Sequence, residues 1–104
     1  MKRFEWNKEK NEILKATRNI SFEEIVASIY SGGVLDIIPN PNIKYPNQKV
    51  YIVNVRNYAY VIPFVEDEEK NFLKTIFPSR KLTRKYIIEG YETDQIRQRR
   101  KRIT

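Results

Sequence analysis

Two β-branched runs, Lys49 to Val55 and Tyr58 to Val65, stand two residues apart, and they restrict this chain more than any other feature. Runs of this composition and length form strands, and a two-residue link folds them back as an antiparallel hairpin with Arg56-Asn57 as the tight turn. Pro63 cannot donate to a ladder, which predicts an edge position or a bulge there. Around this hairpin the remaining elements follow from local signals. Arg3-Phe-Glu-Trp6 alternates and predicts a short strand. Asn7 is a good N-cap, and Lys8 to Arg18 predicts a helix with Ile13, Leu14 and Thr17 on one face. Ser21-Phe-Glu-Glu24 matches a capping box, so a second helix buries Phe22, Ile25, Val26 and Ile29 and ends at Gly32-Gly33. Val34 to Ile38 predicts a strand stopped by Pro39, and the Pro- and Asn-rich segment to Asn47 is a loop. After the acidic loop Glu66 to Glu69, Asn71 to Phe77 predicts a last strand. Ser79 then caps a helix from Arg80 to about Glu89, closed by Gly90. The expected fold is α+β: an antiparallel sheet of four to five strands, two N-terminal helices and one C-terminal helix, with the helices on one face. Residues 1–90 form the domain and residues 91–104 a basic tail.

Charge is distributed unevenly along this order. Residues 1–69 hold nine Lys/Arg against ten Asp/Glu, whereas residues 70–104 hold eleven against three. A one-sided basic surface points to a polyanion as partner. With no Cys and no His, the chain lacks a thiol nucleophile, the usual soft and imidazole zinc ligands, and the commonest acid/base at neutral pH. Proton transfer in any reaction then falls to Lys, Glu, Asp, Tyr or the substrate. No metal and no cofactor is expected. No apolar run approaches membrane-spanning length and no signal-peptide pattern opens the sequence, so the expectation is a soluble, cytoplasmic protein without membrane association.

Lys74 and Thr75 on the last strand and Arg80 and Lys81 at the next helix start converge at the strand-to-helix junction. Free amides of a helix start add positive potential, and such a site suits phosphate binding or a pentacoordinate phosphoryl transition state. Lys85, four residues after Lys81, shares its helix face. The plain alternative is a solvated strand edge and helix face. Tyr45, Tyr51, Tyr58, Tyr60 and Tyr86 can either stack on bases or fill the sheet. Glu66 to Glu69 reads as a solvated loop in preference to a magnesium site.

The combination Phe4-Glu-Trp6-Asn7, Lys10 and Ile20-Ser21-Phe22-Glu23-Glu24, closed by Arg80-Lys81-Leu82-Thr83, resembles the BrnT toxins, RelE-like ribonucleases of bacterial type II toxin–antitoxin systems. The resemblance spans roughly residues 4–86. It departs from the family where a Lys-His pair gives way to Thr17-Arg18 and where Ser79, after Pro78, precedes the arginine. The resemblance implies a basic toxin that cleaves RNA without a metal and is neutralised by an antitoxin protein. In that reading Arg80 clamps the transition state, Arg18 and Lys81 bind flanking phosphates, and Lys74 or Lys10 donates a proton. Arg84, Lys85, Thr75 and Ser79 extend the RNA contact, as do Arg97, Arg99 and Arg100 in the tail. The other class of function open to the chain is a binding module for nucleic acid or a partner that has the fold without the chemistry.

Overall fold

The computed structural model describes residues 2–90, and the expected tail with Arg97, Arg99 and Arg100 lies outside the described residues. The order is β1 (Arg3–Trp6), α1 (Lys8–Arg18), α2 (Phe22–Tyr30), β2 (Val34–Pro39), β3 (Lys49–Val55), β4 (Tyr58–Glu66), β5 (Lys70–Leu73), β6 (Phe77–Pro78) and α3 (Arg80–Leu82). A π-helical segment, Thr83–Ile88, continues α3.

The fold is α+β, and three details of the expectation are corrected. The sheet has six strands in the order β1-β5-β4-β3-β2, with β6 also on β4. It is mixed, because β1 runs parallel to β5 while the other pairs are antiparallel. Alternation in Arg3–Trp6 sets which side chains face the core, but it carries no information on a partner strand's direction. Helices cover both faces. Leu14, Ile20, Phe22 and Ile25 from α1, α2 and their link pack on Tyr51, Val53, Ile62, Phe64, Leu73 and Ile76. On the other face Leu82, Tyr86 and Ile87 pack on Val50, Ile52 and Ala59. Trp6 stacks on Phe22 and Tyr51 on Phe64, with ring centroids 5.6 and 4.3 Å apart, so Tyr51 is core and not a base platform.

The hairpin turn forms as its sequence predicts: Arg56 and Asn57 both have positive φ, the geometry of a type I′ turn. Arginine is unusual at such a position, and two bonds hold it. Its guanidinium reaches Glu24 at 3.2 Å and the Asn19 carbonyl at 3.0 Å. Glu24 is therefore not free to close the reciprocal capping box. Ser21 Oγ does accept from the Glu24 amide, and the second capping bond comes from Asn11. That side chain, only 4% exposed, accepts from the Phe22 amide at 2.8 Å and donates to Glu23 at 2.6 Å. The buried stripe of α1 is thus Asn11 and Leu14, while Ile13 and Thr17 are exposed.

Carboxylates gather on the side of the sheet formed by β1 and the β4–β5 turn. Glu66 sits 3.0 Å from Lys49 and 3.1 Å from Lys2, and these cations hold its carboxyl below the usual carboxylate range. Asp67 accepts the Glu69 and Lys70 amides at 2.8 and 2.9 Å, which depresses it likewise. Its side chain therefore builds the turn. Both groups are more acidic folded than unfolded, so their contribution to stability is complete at neutral pH and disappears on acidification. The melting temperature is expected to stay level down to about pH 5 and to fall below it; in Asp67→Ala that acid limb is shallower.

Candidate functional site

The expected last strand breaks in its middle. Leu73 pairs with Phe64 and Phe77 pairs with Val61, which sets three residues, Lys74 to Ile76, against two, Ile62 and Pro63. One extra residue makes a bulge and shifts the alternation, so Leu73 and Ile76 share the core face and Lys74 is thrown outward. Pro63 is opposite this break. Its carbonyl accepts the Lys74 amide at 2.8 Å, and its missing N–H leaves no gap in a regular ladder. Of the two readings of Pro63, the bulge holds, since β4 is interior to the sheet.

The bulge organises the cations around it. Lys74 and Lys10 line one shallow depression of about 430 Å³ together with Asn7, Glu9, Ile13 and Phe72. The Lys74 ammonium lies 5.4 Å from the Phe72 ring centroid. Arg18, from the last turn of α1, donates through Nη1 to the Ile76 carbonyl at 2.6 Å, which fastens α1 to the bulge four residues before Arg80. Arg18 is therefore bound directly to the bulge, 58 positions away along the chain. Thr75 faces a different concavity, a groove of about 510 Å³ on the α3 side of the sheet, and Lys74 lines that groove too.

Arg80, Lys81, Arg84 and Lys85 are exposed along α3 and the π-helical segment. The regular helix expected over 80–89 is replaced after one turn by wider turns, in which the Glu89 amide donates to the Arg84 carbonyl. Thr83 explains part of this departure. Its hydroxyl donates to the Ser79 carbonyl at 2.7 Å and accepts the Ala59 amide at 2.8 Å, tying the segment to β4. Tyr86 donates to the Asp36 carboxylate at 2.6 Å, an interaction that raises its phenol pKa and ties the segment to β2. Ser79 caps the segment: its Oγ accepts the Leu82 amide and its carbonyl the Thr83 amide. The expected free amides at the helix start are to that extent consumed. Neither Asn11 nor Thr83 was legible as structural, since each is a polar residue whose partner lies on another element.

Ion pairing separates the cations into two groups. Lys2, Arg3, Lys15, Lys49, Arg56 and Lys70 all hold carboxylates within 4 Å. Lys10, Arg18, Lys74, Arg80, Lys81, Arg84 and Lys85 hold none among the described residues, and Lys8 and Lys44 share that state. Comparison of the chain with protein-family models, curated proteins and solved structures finds no match. No helix of the described residues is long and apolar enough to cross a membrane.

Proposed function

We propose that this protein is a metal-independent endoribonuclease of the toxin type, similar in plan to the BrnT and RelE-like enzymes and neutralised by an antitoxin. One observation carries the reading: every described cation assigned to RNA contact lacks a carboxylate partner among the described residues, while the basic residues elsewhere are largely paired. Unpaired cations are available to phosphates without first breaking an ion pair. RNA brings its own nucleophile in the 2′-OH, so the protein needs to hold the phosphate, stabilise the phosphorane and move a proton. Lys74 and Lys10 line one depression, and in this reading they meet a single phosphate and its leaving oxygen. Arg80 and Lys81, exposed on α3 after the bulge, extend the positive surface.

Labelled RNA incubated with the protein in EDTA is expected to yield 2′,3′-cyclic phosphate ends. Binding should weaken with salt, with a slope of log K against log salt of up to about −5 if seven cations release counterions from a single strand. Intact RNA together with salt-independent binding would refute the proposal. A second reading, a binding module without chemistry, draws on Arg18: its guanidinium is already committed to the Ile76 carbonyl, a positioning duty. Salt-sensitive binding without cleavage identifies that case.

A further inference from the structure

The groove on the α3 side of the sheet is unused by the cationic site, although Lys74 stands in both. Its floor is apolar, with Val50, Val61 and Pro63 from the hairpin strands and Leu82 from α3. Two aromatic residues line it, Tyr45 and Phe77, and they are 47% and 41% exposed. Its volume of about 510 Å³ is within the range of pockets that enclose a small ligand.

The polar groups of the groove are ordered by their own bonds. The Asn42 amide donates to Asn40 Oδ1 at 3.0 Å, the Lys44 amide donates to Asn42 Oδ1 at 3.0 Å, and Asn40 Nδ2 donates to Gln48 Oε1 at 3.1 Å. Backbone amides only donate, so these contacts fix which end of each side-chain amide is oxygen. Each of the three oxygens already accepts one bond. The side-chain N–H groups of Asn42 and Gln48 have no acceptor among the described residues. Lys74 and Thr75 add an ammonium and a hydroxyl, and no carboxylate lines the groove. The hydrogen-bonding capacity left for a ligand is therefore weighted toward donors.

Resting on the RNA reading above, we infer that this groove receives one unstacked base of single-stranded RNA and favours a keto base, uracil or guanine. An unstacked base presents an apolar face to Tyr45 or Phe77 and its edge to side-chain amides. The keto oxygens of uracil and guanine accept from the donors present. Where uracil has O4 and guanine O6, cytosine and adenine set an exocyclic amino group, itself a donor, against them. Lys74 at the rim is placed for the phosphate joined to the bound nucleotide, which connects base recognition to the cationic depression on its other side.

The test uses the full chain and fluorescein-labelled ten-nucleotide strands of uridine, adenosine or cytidine, 2′-O-methylated so that cleavage cannot occur. Fluorescence anisotropy at one salt concentration is expected to give uridine strands about tenfold tighter binding than the other two. Tyr45→Ala and Phe77→Ala, both at partly exposed positions on different segments, are each expected to weaken uridine binding by about tenfold and to narrow the preference. Salt-sensitive binding of equal strength for all three strands overturns the base groove and leaves the RNA reading standing. A uridine preference unchanged by both variants overturns its assignment to this groove. Absence of binding to any strand overturns both.

Discussion

Methionine at Lys74 is expected to slow RNA cleavage about 100-fold, with Lys15→Met remaining within about twofold of the wild type. The estimate comes from the general cost of removing one preorganised group that meets transition-state charge, about 2.7–4 kcal/mol. Lys74 is chosen over its neighbours because the bulge leaves it no alternative employment. Its amide is bound to the Pro63 carbonyl, the residue lines both concavities, and no carboxylate pairs with it among the described residues. Lys15, by contrast, lies between Glu12 and Glu23. Methionine keeps the aliphatic stem against Phe72 and loses only the charge, including a cation–π contact worth about 0.5–1 kcal/mol at such a site. Folding should therefore change little. Single-turnover cleavage in EDTA, measured beside the melting temperature, separates lost chemistry from lost structure. A rate within threefold of the wild type would remove Lys74 from the mechanism, and attention would pass to Arg80 and Lys81.

What the residues announced in advance divides along a physical line. The first four strands and two helices are bounded by local chemistry: Asn7 and Ser21 cap their helices through the amides three residues on, and Arg56-Asn57 adopts the turn that a two-residue link requires. Such signals act over a few residues and so can be read from the chain. The break between β5 and β6 arises between distant segments, because Lys74 to Ile76 bulge opposite Pro63 of another strand. Read along the chain, Asn71 to Phe77 passes for one strand, because the residues that force the break lie on β4. The partner of β1 and the covering of both sheet faces are likewise tertiary outcomes. For the site, the count of cations was legible but their pairing was not. Pairing depends on where the carboxylates of the first two thirds come to rest, and β1, β5 and the acidic turn gather Glu5, Glu66 and Glu69 with Lys2, Arg3 and Lys70. Among the described residues, the basic residues left uncompensated lie mostly around the bulge and along the segment that follows it, with Lys8 and Lys44 elsewhere.

Alanine at Gly33 is expected to destabilise the protein by about 3 kcal/mol, from overpacking plus a lost hydrogen bond. Gly33 lies in the link from α2 to β2 and ties α2 to β3 through hydrogen bonds. Its amide donates to the Ser28 carbonyl at 2.7 Å, its carbonyl accepts the Asn54 amide at 2.8 Å, and Ser28 Oγ donates to the Asn54 carbonyl. A Cβ there would lie 2.4 Å from Ser28 Oγ, 2.9 Å from the Ser28 carbonyl oxygen and 3.0 Å from that of Asn54. The hydroxyl can rotate away at the loss of its bond, but the two carbonyls are backbone and can move only with α2 or β3. Gly32 provides the contrast. Open space surrounds its missing Cβ, yet its φ of +89° belongs to glycine. Alanine there meets no atom, and only the left-handed backbone is penalised, by about 1–2 kcal/mol. Urea denaturation of the two variants should rank them in that order, with Gly33→Ala melting roughly 12–20 °C below the wild type for a domain of this size. The reverse ranking would mean that α2 is seated on β3 less tightly than these contacts describe. Cleavage per folded molecule should survive in both variants, because this joint lies at the α2–β3 contact while the bulge that carries Lys74 is built on β4.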